Sequence, residues 1–277
     1  MRHPAARLVL VLVLLAVVPA VARAGGASPH LLMREFGPAP EIAYRFLHPR
    51  LAVDAYPVGW SMGAHEFSVA VPAGRRVVVW LGLPRVTWAV DGIDLPDESA
   101  WGNLTLGVQA GGGNESGVVA GCDLVLPTAQ NRGRDLLTTG LLADPYHLET
   151  FIPDLLTIRP YAQTKTLLAP DATFRFLLGP DLLVPTGDAE GDIEALVRYG
   201  VGLGLDNGTV AVSLELAGQW LVTGNGDFAS DSEHFVAAGF EYLGHSVRPA
   251  LSYRIPTDGT YDNVLDGIVG LRIRVLP

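Results

Sequence analysis

Residues Thr209–Val222 read Thr-Val-Ala-Val-Ser-Leu-Glu-Leu-Ala-Gly-Gln-Trp-Leu-Val. Val210, Val212, Leu214, Leu216, Gly218, Trp220 and Val222 fall on even positions, and Thr209, Ala211, Ser213, Glu215, Ala217, Gln219 and Leu221 on odd ones. Successive side chains of a strand point to opposite faces, so one face of this segment is greasy and the other polar or small. An amphipathic helix would instead repeat its apolar residues every ~3.6 positions. The preceding segment carries the same pattern, with Ile193, Ala195, Val197, Tyr199, Val201, Leu203 and Leu205 against Glu194, Leu196, Arg198, Gly200, Gly202 and Gly204. Asp206-Asn207-Gly208 between the two is a tight hairpin signal, because Asn and Gly accept the positive φ that such a turn demands.

The alternation spreads outward from this hairpin. Toward the carboxyl end, Val247, Pro249, Leu251, Tyr253 and Ile255 oppose Ser246, Arg248, Ala250, Ser252 and Arg254, and Leu265 to Val275 oppose Asp266, Ile268, Gly270, Arg272 and Arg274. Eleven such segments lie near residues 65–72, 75–89, 101–111, 115–127, 154–168, 172–185, 192–205, 209–222, 233–243, 245–256 and 264–275. Their connections alternate between short turns (Pro72-Ala73-Gly74, Gly113-Asn114, Pro170-Asp171, Asn207-Gly208, Gly244-His245) and longer stretches (90–100, 128–153, 186–191, 223–232, 257–263). Short turns on one side and long loops on the other are the pattern of a transmembrane β-barrel, with the long loops outside the cell. Both ends must then lie in the periplasm, so parity requires a twelfth strand, expected within residues 42–56. Pro160, Pro180 and Pro249 fall inside predicted strands and should each mark a bulge or a break, since proline has no N–H for the ladder.

Composition narrows the class further. The chain has 277 residues, 19 Lys+Arg against 29 Asp+Glu, 49% hydrophobic residues and one cysteine, Cys122. That balance excludes a basic nucleic-acid binder and a disulfide scaffold. Arg2 and Arg7, the apolar run Leu8 to Val18 and the small-x-small sequence Ala22-Arg23-Ala24 predict an export signal over residues 1–24. Residues 25–40 are then an N-terminal segment, either a plug or periplasmic, and 41–277 the barrel. The long loops and their flanks hold fifteen acidic residues, Asp144 and Glu149 among them, against Arg132 and Arg134. Acidic loops of this kind are expected to be solvated and to meet lipopolysaccharide through divalent cations. Asp227, Asp231 and Glu233 lack EF-hand spacing, and the histidines show no metal-ligand pattern, so neither metal nor cofactor is expected.

The polar faces of the strands supply the candidate site. Asp123, Arg159, Lys165, Arg175, Asp181, Glu194 and Arg198 are expected to line a lumen, together with Glu215, Gln219, Glu241, Arg248, Arg254, Arg272 and Arg274. Twelve strands lie between about eight, which side chains fill, and about sixteen, which leave an aqueous channel. These residues therefore either close ion pairs across a narrow lumen or border a small, gated path that residues 25–40 obstruct. The tryptophans and Tyr199, Tyr242 and Tyr253 either form interfacial girdles or fill the core of a soluble sandwich, the main alternative fold.

Trp101-Gly102-Asn103-Leu104-Thr105-Leu106-Gly107-Val108, followed by Ser116-Gly117-Val118-Val119-Ala120-Gly121-Cys122-Asp123-Leu124-Val125-Leu126-Pro127-Thr128, resembles the hairpin pattern of bacterial outer-membrane barrels related to the phenol meta-degradation transporter family. Asp181-Leu182-Leu183-Val184-Pro185-Thr186-Gly187 and Arg248 to Pro256 extend the likeness over residues 60–275. Arg274-Val275-Leu276-Pro277 departs from it in lacking a terminal aromatic. The resemblance implies a transporter of small, hydrophobic or aromatic molecules in the outer membrane of a Gram-negative cell. Its partners would be the lipid bilayer, lipopolysaccharide, the barrel-assembly machinery and a small-molecule cargo. The alternatives are a non-conducting structural or adhesive barrel and an outer-membrane hydrolase. The last would rest on His245-Ser246, a pair with no orienting acid in the sequence nearby, so no enzyme is expected.

Overall fold

The computed structural model describes residues 30–32, 36, 39–52, 60–90, 98–111, 117–130, 134–187, 191–224, 226, 228, 230–258 and 261–277. The predicted export signal lies outside the described residues, as do the loop acids Asp91, Asp94, Asp97, Asp188, Glu190 and Asp227. Thirteen strand segments follow one another: β1 (Glu41–Leu51), β2 (Trp60–Pro72), β3 (Val77–Val90), β4 (Glu98–Trp101), β5 (Thr105–Gly111), β6 (Gly117–Val125), β7 (Leu155–Ala169), β8 (Ala172–Pro185), β9 (Glu194–Asp206), β10 (Val210–Leu221), β11 (Ser232–Tyr242), β12 (Val247–Pro256) and β13 (Leu265–Val275). Each pairs antiparallel with its neighbours, and β1 pairs with β13, which closes the sheet on itself. Both β4 and β5 pair with β3, so they are two parts of one strand interrupted at residues 102–104, and the barrel has twelve strands. The sandwich alternative fails on that closure, because there is one continuous sheet rather than two packed ones.

The twelfth strand precedes residue 65 as parity demanded, but the boundaries move. Residues 41–51 form β1, and β2 starts at Trp60. A tight hairpin forms here, centred one residue later on Gly208 and Thr209: Asn207 N–H donates to the Val210 carbonyl at 3.1 Å, its side-chain Oδ1 accepts from the Thr209 and Val210 amides, and Gly208 takes the positive φ, +80°. Pro160 and Pro180 face each other across β7 and β8, and the ladder is interrupted there, running to Ile158↔Leu182 and resuming at Ala162↔Leu178. Pro249 stands just beyond the last β11–β12 pair, Glu241↔Ala250.

The two faces separate as the alternation requires. Outward positions such as Ile42, Val118, Leu178 and Leu251 are about half exposed, whereas the inward positions of the same strands are buried. An apolar exterior around a polar interior is the arrangement a bilayer demands, since a closed barrel leaves no unpaired backbone edge in lipid. Trp80 departs from the expected girdle: it faces the lumen, and its Nε1–H donates to Asp123 at 3.1 Å. Gly107 lies opposite it on β5, and any Cβ there would collide with the indole. Tyr161 opposite Gly121 and Tyr199 opposite Gly218 repeat this exchange of bulk for space between paired strands.

Candidate functional site

The lumen is where the buried charge lies, and the wall alone does not fill it. The long connection between β6 and β7, expected as a solvated external loop, folds inward instead. It contains helix α1 (Arg134–Ala143) and a 3-10 turn (Pro145–Thr150), and Ala143, Asp144, Tyr146 and Glu149 are buried. The physical reason is charge. Asp144 accepts from Arg45 at 2.8 Å and from Arg254 at 3.0 Å. Glu149 pairs with Arg198 at 2.6 Å and also with Arg159. Acids that would be solvated in an external loop here give Arg254 its carboxylate and add a further one to Arg45, Arg159 and Arg198, arginines projecting from four strands.

The break between β4 and β5 is the docking point of this insert. Asn103 Nδ2 donates to the carbonyls of Glu149 (2.8 Å) and Ile152 (2.7 Å), while its Oδ1 accepts the Ala129 amide at 2.7 Å. A Cβ at Gly102 would sit 2.6 Å from the Thr150 carbonyl, so only glycine lets the insert approach the wall there. The Gly102-Asn103 pair of the hairpin signature thus has a tertiary role that local pattern did not disclose. Gln219 adds a bond to the Pro145 carbonyl at 3.2 Å, and the Tyr146 ring lies 5.1 Å from the Arg198 guanidinium.

Burial would raise the Asp144 carboxyl, but Arg45 and Arg254 outweigh it and hold the group well below the usual carboxylate range. Burial pushes His147 down to about 3 against the opposing pull of Asp144. His147 is therefore a neutral imidazole, donating from Nδ1 to Asp144 at 3.2 Å.

A second segment enters from the amino-terminal side. The backbone N–H groups of His30, Leu31 and Leu32 all donate to the Glu215 carboxylate, at 2.8, 2.6 and 3.1 Å, and Arg254 donates to the His30 carbonyl at 2.8 Å. Gly200 and Gly202 on β9 make room for the Leu32 side chain, and Gly239 on β11 for the His30 ring. Further along, the Phe36 amide donates to Gln109 at 3.2 Å and its ring packs 5.9 Å from that of Trp80. Burial, then Arg272, Arg254 and Arg274, hold His30 well below its ordinary value, so it too is neutral.

Most of the expected lumen residues face this interior. Asp123, Arg159, Asp181 and Arg198 form one chain of charges, with Arg159 to Asp181 at 3.3 Å and Arg198 to Asp181 at 2.7 Å. Glu241, Arg272 and Arg274 form another, which takes in Glu41. Lys165, Arg175, Glu215, Gln219 and Arg254 are buried and inward. Glu194 and Arg248 instead stand at opposite rims: Glu194 is exposed at the start of β9, and Arg248 donates from Nε to the Gly244 carbonyl at 3.0 Å. The expected lumen residues did not include Arg45 and Glu66, which pair at 2.5 Å; Glu66 fell at the start of its segment and Arg45 in a stretch whose strand was not delimited. His245 and Ser246 are exposed in a short turn. Among the described residues, no group of three His, Cys, Asp or Glu is placed to hold a metal ion.

Between the two inserts and the wall lies a cavity of about 80 Å³. Leu32, Phe36, Leu47, Trp80 and Tyr161 supply its apolar lining, and Arg45, Arg159, Arg254, Arg272, Glu66 and Asp123 its charge.

Solved structures share this architecture. An outer-membrane channel of Pseudomonas putida F1 superposes with a TM-score of 0.58 at 14% identity, over 90% of this chain and 99% of that one. The NanC porin superposes at 0.51 and 11% identity, over 85% and 98%. At these identities the likeness is one of fold. The chain is an antiparallel barrel of the bacterial outer-membrane type. No family model and no curated protein matches it.

Proposed function

We propose that this protein is a passive outer-membrane channel for small molecules, hydrophobic and aromatic ones among them, whose resting lumen is closed by an amino-terminal plug. The observation that carries the reading is the seat of His30–Leu32. Three amides converge on one carboxylate, and inward glycines accept the two side chains, so the wall is shaped for a segment that is not part of it. A barrel of this strand number without the plug has room for a narrow path. The mixture of Phe36, Trp80 and Tyr161 with arginines along the residual cavity suits an amphipathic or aromatic cargo.

The competing reading is a non-conducting structural barrel, and the ion pairs that tie the second insert to the wall favour it. Single-channel recording of the refolded chain in planar bilayers separates the two. Deletion of residues 25–36 is expected to turn rare, small openings into discrete, sustained conductance steps. A deletion variant that keeps heat-modifiable gel migration, and so has formed its barrel, yet stays electrically silent would overturn the channel reading.

A further inference from the structure

The outward wall is not uniformly apolar. Outward positions of β8 read Phe174, Phe176, Leu178, Pro180, Leu182 and Val184, which is what lipid tails require. Those of β1–β4 change character toward the end that carries the long loops. Leu83 and Phe67, in the apolar band, are 40% and 49% exposed. One pair further out, His65 faces Arg85, which faces Trp101; beyond them come His48 and Thr87, and at the end of β1 the exposed Arg50. Among the described outward strand positions, Arg50 and Arg85 are the arginines, and β1–β4 present no carboxylate beside them.

These side chains are held in place. Arg85 Nη2 donates to Ser99 Oγ at 2.9 Å, and its guanidinium lies 5.7 Å from the centre of the Trp101 ring. His65 is fixed between the Tyr44 hydroxyl (2.7 Å) and Thr87 Oγ1 (3.1 Å), and its ring packs 4.9 Å from Phe46. An arginine on the lipid face costs about 2–4 kcal/mol at the bilayer midplane but close to nothing at an interface, so Arg85 marks the headgroup level of the outer leaflet. A guanidinium has five N–H donors in a fork that fits phosphate, and one bond to a serine hydroxyl leaves the fork available.

We infer that the outward face of β1–β4 at its extracellular end is a binding site for a phosphate of the lipid A moiety of lipopolysaccharide, with Arg85 and Arg50 as its cationic ligands and Trp101 and Phe46 packing against the glycolipid. The outer leaflet supplies this ligand at the height of Arg85, and a positive patch whose described outward strand positions carry no carboxylate, Glu98 standing on the inward register at the rim, is complementary to it. The inference depends on the orientation of the barrel and not on conduction.

The test is native mass spectrometry of the refolded full chain, titrated with bisphosphorylated lipid A, with dephosphorylated lipid A and with phosphatidylglycerol. Bisphosphorylated lipid A is expected to be retained preferentially. The Arg50→Gln/Arg85→Gln double variant should bind it about thirtyfold more weakly, as expected for two surface cations near an anionic headgroup. Binding of dephosphorylated lipid A should not change, and Arg248→Gln at the opposite rim should leave all three unaltered. Arg85→Lys, which keeps the charge and loses the fork, should fall between. Equal retention of phosphorylated and dephosphorylated lipid A would overturn the assignment, as would a double variant that migrates as a folded barrel and binds like the parent. A parallel, equal loss of phosphatidylglycerol would also overturn it, showing generic interfacial charge.

Discussion

The two segments inside the lumen are held by opposite arrangements of charge. The amino-terminal one brings neutral backbone amides to a single wall carboxylate, Glu215, while the insert between β6 and β7 brings two carboxylates, Asp144 and Glu149, to four wall arginines. If the first leaves, Glu215 is rehydrated and the amides find water. If the second leaves, Arg254 loses its carboxylate partner, and Arg45, Arg159 and Arg198 each lose one of two or more. The two occupants of the barrel are therefore seated differently, one on a single carboxylate and the other through ion pairs to four strands.

The severest way to break this contrast is Glu149→Leu. It removes the carboxylate that Arg159 and Arg198 share on the insert, leaving them Asp181 and Asp123 on the wall, and is expected to cost about 3–5 kcal/mol of barrel stability, read as an earlier midpoint of urea unfolding. A loss under about 1 kcal/mol would mean that the insert is anchored by its packing instead. Glu215→Gln is expected to cost about 1.5–3 kcal/mol, as for a charged acceptor lost to a neutral one, and to cost it only in docking of the amino terminus. Protease cleavage before residue 36 should quicken while the urea midpoint stays put; a shifted midpoint would merge the two classes of occupant.

Acidification sharpens the contrast. The folded value of His30 is lowered by burial and by Arg272 and Arg254, so the docked segment binds fewer protons than the undocked one. Docking is therefore at full strength above about pH 6.5 and weakens as pH falls below it, with the open population rising about tenfold between pH 7.5 and 5.5. Conductance recorded across that range should follow, and His30→Asn should flatten it. His147 titrates in the same direction, but its insert stays because the arginine contacts remain. The mildest probe is Gly202→Ala. The new Cβ would fall 2.9 Å from the flexible end of Leu32, so a penalty of about 1 kcal/mol is expected, read as a small rise in the same cleavage rate.

Strand faces were legible in the sequence because a period of two is a local signal. It fixed which side of Arg198, Glu215 and Arg254 looks inward, placed Pro160 and Pro180 at a break, and gave the hairpin at Asn207-Gly208. Trp80 was assigned to the wrong surface because the space it needs belongs to Gly107 on another strand, which the register alone reveals. The inward turn of residues 134–151 was illegible for a different reason: an aperiodic segment presents no face, so its acids read as solvated. The paired leucines Leu136-Leu137 and Leu141-Leu142, too greasy for an external loop, were the available sign. Likewise, Gly200, Gly202 and Gly204 read only as the small side of the β9 alternation, while two of them are seats for Leu32.

The partners of the amino-terminal segment are late in the chain. Glu215 lies on β10 and Arg254 on β12, and the barrel closes only when β13 meets β1. The seat for residues 30–32 therefore does not exist until β10 to β12 have taken their places in the wall. Docking of residues 30–32 is thus a consequence of wall assembly and cannot guide it.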